Sequence, residues 1–118
     1  MNWFRRTSAT VLDAAAAMDE GAALVDVRTS GEWRGIRPVG AYHIPLNDIG
    51  ARTAQLAGTP VYVICRSGSR SRRATAILRR AGVDARNVRG GLLSWERHGL
   101  PVERGRSQRS SSRTRRSR

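Results

Sequence analysis

An α/β fold built on a mainly parallel sheet is what this sequence predicts, and three observations predict it. Short apolar, β-favouring runs alternate with segments of helical periodicity. The turns between them are brief and marked by Gly or Pro. Val61-Tyr-Val-Ile64 has four β-favouring residues in a row, the pattern of a strand covered on both faces, as parallel sheets require.

Taken in order, a first helix is expected after Ser8, with Val11, Leu12, Ala15 and Met18 on one face and Gly21 ending it. Ala23-Leu-Val-Asp-Val27 reads as a short apolar strand. Gly40-Ala-Tyr-His-Ile-Pro45 carries a second extended piece, closed by Pro45, and residues 46–56 read as one or two short helical turns. Gly58 and Pro60 then reset the chain before the Val61 strand, which ends directly on Cys65. Ala74, Ile77, Leu78 and Ala81 recur at helical spacing, and Gly82 stops that helix. Residues 84–88 make another strand and residues 92–98 a last helix, stopped by Gly99-Leu-Pro101.

The 118 residues suffice for one compact domain and are too few for two. We divide them into an N-terminal extension (1–7), a folded domain (8–103) and an Arg/Ser-rich tail (104–118). The tail from Gly105 onward has no aliphatic or aromatic residue with which to offset ordering, so disorder is expected there. All 22 basic residues are arginine, and residues 103–118 carry +6 of the formal +13. Such a tail reads as a solubilising extension, or as a source of weak contacts to nucleic-acid phosphates. With no aromatic to stack on bases, it has little means of reading sequence.

A single cysteine excludes an internal disulfide framework and any paired-cysteine zinc site, so no metal is expected. No run approaches the roughly 20 apolar residues of a membrane span, and Arg5-Arg6 is followed by neither an apolar region nor a cleavage site of the export kind. A reducing, cytoplasmic setting is the expectation.

Cys65 is the candidate nucleophile. It stands at the carboxyl end of the most apolar strand, where open α/β sheets place their ligands, and a glycine and a helix start follow it. Backbone N–H groups of such a loop have no helical acceptor and favour negative charge. With Arg66 and Arg70 nearby, the thiol pKa is expected to fall below its ordinary ~8.5. A thiolate needs no general base, which suits a chain whose only histidines are His43 and His98. His43, beside Ile44-Pro45, is read as structural, and Trp33 and Trp95 as core or rim packing. Arg28 and Glu32, four apart, form a candidate support pair, with Asp26 as an alternative partner for Arg28.

Cys65-Arg-Ser-Gly-Ser-Arg70 followed by Ser71 resembles the active-site loop of rhodanese, the thiosulfate sulfurtransferase family. Leu24-Val-Asp-Val-Arg28, Gly40-Ala-Tyr-His-Ile-Pro45, Asn87-Val-Arg-Gly-Gly-Leu-Leu-Ser-Trp95 and Gly99-Leu-Pro-Val102 resemble further family segments in the same order. The likeness covers residues 8–102. In Gly35-Ile-Arg-Pro-Val-Gly-Ala41, Arg37 falls where the family usually has histidine.

The resemblance implies a three-layer rhodanese-like fold with helices on both faces of the sheet, and sulfur transfer through a Cys65 persulfide without a cofactor. Arg66, Ser67, Gly68, Ser69, Arg70 and Ser71 would bind the substrate, and Asp26, Arg28 and Glu32 would support the loop. The donor would be thiosulfate or a similar small sulfane. With no second cysteine in these residues, the acceptor would be an external thiol, cyanide or a partner protein. Related cysteine phosphatases and arsenate reductases have one more residue between Cys and Arg than the four found here, Arg66 to Ser69. A non-catalytic rhodanese-like binding module is the remaining alternative.

Overall fold

The structure, a computed structural model, describes residues 7–105. The N-terminal residues 1–6, including Trp3, and the tail from residue 106 lie outside the described residues, and with them most of the two terminal segments set apart above. Within the described span the chain runs β1 (Ser8–Ala9), α1 (Val11–Asp19), β2 (Ala23–Asp26), α2 (Ser30–Gly35), β3 (Ile36–Pro38), β4 (Tyr42–His43) and α3 (Leu46–Ile49). A 3-10 turn (Thr53–Leu56), β5 (Val61–Ile64), α4 (Ser69–Arg80), β6 (Ala85–Val88), α5 (Gly91–Arg97) and β7 (Val102–Arg104) complete it.

The main sheet has the order β1-β6-β5-β2-β4, with every neighbouring pair parallel. Side chains alternate across it. Val25, Val61 and Val63 join Ile49, Leu56, Ala74 and Leu78 on the α3 and α4 side. Leu24 and Ile64 join Val11, Ala14, Leu92 and Trp95 on the α1 and α5 side. The two-residue period of the strands therefore makes two cores from one sheet, each strand side chain contributing to one. These are the three layers expected. Each fully buried Val, Leu or Ile in either core contributes about 1.5–3 kcal/mol.

The structure departs from the expectations in four places. Ser8–Ala9 is an edge strand, and α1 starts two residues later, capped reciprocally by Thr10 and Asp13. The buried stripe of α1 follows Val11 and Ala14, with Met18 packed against it. Leu12, one residue and about 100° around the helix from Val11, is 53% exposed. In α4 the buried positions are Ser71, Ala74, Thr75 and Leu78, while Ala81 is an exposed C-cap residue. Finally, α2 and a separate antiparallel pair, β3 with β7, were not anticipated. The pair closes the fold by joining Ile36–Pro38 to Val102–Arg104, and Gly105 N–H donates to Gly35 O at 2.9 Å.

Candidate active site

Cys65 follows the last residue of β5 at the carboxyl edge of the sheet, beneath the first turn of α4. Its side chain is 1% exposed. The loop reverses direction at Gly68, whose φ of 121° lies where side-chain-bearing residues rarely go, and α4 begins at once with Ser69. The expected loop of residues 65–70 is thus shorter than predicted: Ser69, Arg70 and Ser71 form the opening turn of the helix.

The sulfur lies among donors. Gly68 N–H donates to Cys65 Sγ at 3.1 Å and Ser71 N–H at 3.3 Å, and the Ser71 hydroxyl lies 3.3 Å from the sulfur. Burial is the largest single influence on the thiol and raises its pKa. The Ser71 hydroxyl and the N–H groups of Ser71, Gly68 and Ser67 together outweigh it, so the pKa ends below its ordinary value. The decisive donors belong to the helix start and loop rather than to the arginines. Among the described residues no histidine bonds to the sulfur; His43 Nε2 lies 2.8 Å from Arg28 O, with its ring stacked on Trp33, and His98 is exposed against Ser94.

The loop keeps this posture because α5 holds it from behind. Leu92 N–H donates to Cys65 O at 2.8 Å and Leu93 N–H to Arg66 O at 3.1 Å. With the Arg66 carbonyl turned toward α5, the Ser67 N–H on the other side of the same planar peptide is turned toward the sulfur. Gly91 makes the approach possible: its φ is 55°, and a Cβ there would overlap the carbonyl oxygens of both Cys65 and Arg66. The second glycine of the Gly90-Gly91 pair is therefore a spacing requirement of the site.

Two ion pairs flank the loop, and they differ from the pairing considered first. Arg28 does not pair with the Glu32 carboxylate. It takes the alternative, Asp26, donating from Nε at 3.0 Å to both carboxylate oxygens and from Nη2 at 2.8 Å, with both side chains buried. Its remaining donors reach Ile36 O at 2.6 Å and Glu32 O at 3.4 Å, tying the end of β2 to α2 and β3. Two residues apart on the same strand end, Asp26 meets the guanidinium directly, whereas Glu32 is turned away by α2.

The Glu32 carboxylate instead receives both Nη groups of Arg70, at 2.7 and 3.0 Å. It also accepts from Thr29 N–H, completing a capping box for α2. Hydrogen bonding from Arg70 is the main reason the Glu32 pKa falls from 4.5 to about 2, against an opposing contribution from burial. The same pair raises the pKa of Arg70. Arg70 thus stands beside the loop as half of a clamp between α2 and α4, with a carboxylate already in its fork. Arg66, Ser67 and Ser69 are exposed at the mouth, and Gly68 and Ser71 are buried beneath it.

Arg37, the departure from the family pattern, lies over the Trp33 ring at 5.6 Å and donates to Trp33 O and Gly105 O. It supports the β3–β7 pair and makes no contact with Cys65.

Sequence reasoning missed a buried polar residue that bonds to the site. Asn87, in β6, is 6% exposed, and its Oδ1 accepts from the Ser71 hydroxyl at 2.5 Å. A signal was present: an amide in the middle of a segment read as a strand needs a partner wherever that strand is covered.

A family model described as "Rhodanese-like domain" matches residues 10–98. A sulfurtransferase from Allochromatium vinosum is 40% identical over 86 residues, covering 70% of this chain and 79% of its own. The thiosulfate sulfurtransferase GlpE of Actinobacillus pleuropneumoniae serotype 3 is 36% identical over 87 residues, or 72% of this chain and 81% of that protein. Among solved structures, a rhodanese-related protein from Thermoplasma volcanium superposes with a TM-score of 0.75 at 27% identity, covering 81% of this chain and 96% of that one. A rhodanese-like domain protein from Staphylococcus aureus gives 0.72 at 29% identity, with 82% and 98% covered. A match running from the cap of α1 to the end of α5, with the same fold in independent structures, makes this chain a member of the rhodanese-like family.

Proposed function

We propose that this protein is a sulfurtransferase in which Cys65 carries sulfane sulfur as a persulfide. The single observation that carries the reading is the Cys65 sulfur itself: buried, facing the N–H groups of Gly68 and Ser71, and with its pKa lowered by them and by the Ser71 hydroxyl. In the first step the Cys65 thiolate attacks the outer sulfur of thiosulfate. The new S–S bond forms as the bond to the sulfonate sulfur breaks, and that electron pair leaves with sulfite. The enzyme then holds a terminal sulfur anion of the same charge as the starting thiolate. In the second step a nucleophile such as cyanide or a thiolate takes that terminal sulfur, and the electron pair returns to Cys65.

The N–H groups stabilise the anion at the start and end of the cycle without needing a proton donor or acceptor. Thiosulfate as donor is supported by the name of the GlpE relative and by the loop of four residues between Cys65 and Arg70. Arg66, exposed at the mouth, is the cation we assign to the incoming sulfonate, and Ser67 and Ser69 supply polar contacts beside it. Arg70 acts mainly through Glu32, keeping α4 in place over the sulfur. An Arg committed to a carboxylate also argues against the phosphatase reading, which needs that guanidinium for the substrate's oxygens.

Treating the protein with thiosulfate, removing excess donor and measuring the intact mass should show one added sulfur, lost on adding cyanide with one thiocyanate released. Cys65→Ser should show neither. An unchanged wild-type mass, with thiocyanate formation equal to that of Cys65→Ser, would falsify the proposal and favour a non-catalytic module.

A further inference from the structure

The Ser71 hydroxyl has one proton and three acceptors within reach: Asn87 Oδ1 at 2.5 Å, Gly68 O at 3.1 Å and Cys65 Sγ at 3.3 Å. All of these groups are buried, so water does not make up the difference. The destination of that proton decides whether Ser71 stabilises a thiolate. An amide can settle the matter, because turning it over exchanges an acceptor for a donor at nearly the same shape. Among the described residues the Asn87 amide nitrogen has no hydrogen-bond partner, and the residue borders an open cavity of about 490 Å³ shared with Thr75, Ala76 and Arg72, which leaves it room to turn.

We propose that Asn87 is a positioning residue for the sulfur chemistry, acting through Ser71 and turning with the charge on Cys65. When Cys65 is a neutral thiol, its S–H donates to Ser71 Oγ and the hydroxyl donates to Asn87 Oδ1. When Cys65 is a thiolate, Nδ2 of Asn87 donates to Ser71 Oγ and the hydroxyl proton points to the sulfur. Each arrangement gives the hydroxyl proton, and the thiol proton where there is one, an acceptor, and the two differ by the amide turn and the hydroxyl rotation. Once a persulfide forms, the negative charge moves one atom outward. Sγ no longer needs the hydroxyl, and the amide returns to its first orientation. This last step rests on the sulfurtransferase reading; the link from Asn87 to the thiol does not.

The other charged groups around this path are Arg72, Arg79 and Arg80 at the cavity, Arg66 in the loop, and the Arg70–Glu32 and Arg28–Asp26 pairs that flank it. Alkylation reads Cys65 directly, since it is the one cysteine in the sequence.

The test measures the pH dependence of Cys65 alkylation by iodoacetamide, with no sulfur donor present, in wild type, Asn87→Asp, Ser71→Ala and the double variant. An aspartate can only accept, so it holds the Ser71 proton away from sulfur. Asn87→Asp should raise the thiol midpoint by about one unit, slowing alkylation about tenfold below both midpoints. In the Ser71→Ala background the same change should produce half that shift or less, since only the direct effect of the charge is left. An equal shift with and without Ser71, or none in either, overturns the proposal.

Should Asn87→Asp not fold, the wild type answers alone. The Asn87 side-chain amide resonances should move with the Cys65 midpoint in wild type and stay fixed in Ser71→Ala; resonances that ignore the titration, or follow it equally without Ser71, overturn the proposal. Because no persulfide is involved, this result stands apart from the thiosulfate experiment. A shift without sulfur loading defeats the function reading alone.

Discussion

At Glu32 one carboxylate performs two tasks, capping α2 through Thr29 and gripping Arg70 on α4. Its depressed pKa gives the pH dependence a definite sign. The folded value is about 2 and the ordinary value 4.5, so the contribution to stability is complete above pH 4.5 and disappears as pH falls toward 2. The pair is partly exposed, at 33% for Arg70 and 29% for Glu32, so solvent screening limits its worth to about 1 kcal/mol. Glu32→Gln should therefore lower stability by about 1 kcal/mol near neutrality and by almost nothing near pH 2, measured by denaturant unfolding at both pH values. An equal deficit at both would mean that the loss comes from α2 capping geometry and not from the charge. The role of Glu32 was only half legible in the sequence. Its spacing from Arg28 suggested an ion pair, but the Thr29-x-x-Glu32 spacing was also a capping-box signature, and it turns the carboxylate toward α4.

Among the elements, the strand–loop–helix unit from β5 to α4 was the most legible, because an unbroken apolar run, one glycine and a helical stripe are all local signals. The β3–β7 pair was not, since Arg37 meets Glu103 across a long sequence separation and three-residue strands carry no periodicity. The face of α1 was misread because Val11 and Leu12 are both apolar, and only packing against Leu24 and Trp95 decides between them. The link from α5 to the loop was also hidden, although Gly90-Gly91 advertised it. Gly91→Ala should cost about 3 kcal/mol through overlap with the Cys65 and Arg66 carbonyls, and should slow Cys65 alkylation as the loop is pushed off its donors. Gly82→Ala is the control: its φ is 87° but nothing lies within 4 Å of the added atom. It should cost about 1 kcal/mol and leave alkylation unchanged, as denaturant unfolding and thiol kinetics would show. Equal alkylation in the two variants would remove α5 from the account of the site.

Across the whole molecule, one sheet separates two cores, and the chemistry sits where the second, through α5, is bonded to the loop that roofs the first. The fold extends slightly further than composition suggested. Gly105 bonds Gly35 and Arg37, so a cut meant to remove only the tail belongs after it. Deleting residues 106–118 should leave thiocyanate production within about twofold of the full chain, a difference under ~0.5 kcal/mol. Any contact with nucleic acid that depends on the six arginines removed should vanish with them. A large fall in turnover would place a functional role in the tail. Among the described residues no helix is long and apolar enough to cross a membrane.

The two hydrogen bonds that the Leu92 and Leu93 N–H groups donate to the loop carbonyls carry one more consequence. They make the reactivity of the thiol a property of two segments, so the loop cannot loosen while α5 remains docked by Trp95 and its bond to Pro101. A substitution far from the sulfur, in the contacts that seat Trp95, therefore acts on the nucleophile as surely as one beside it. Selection for reactivity and selection for packing fall on the same helix.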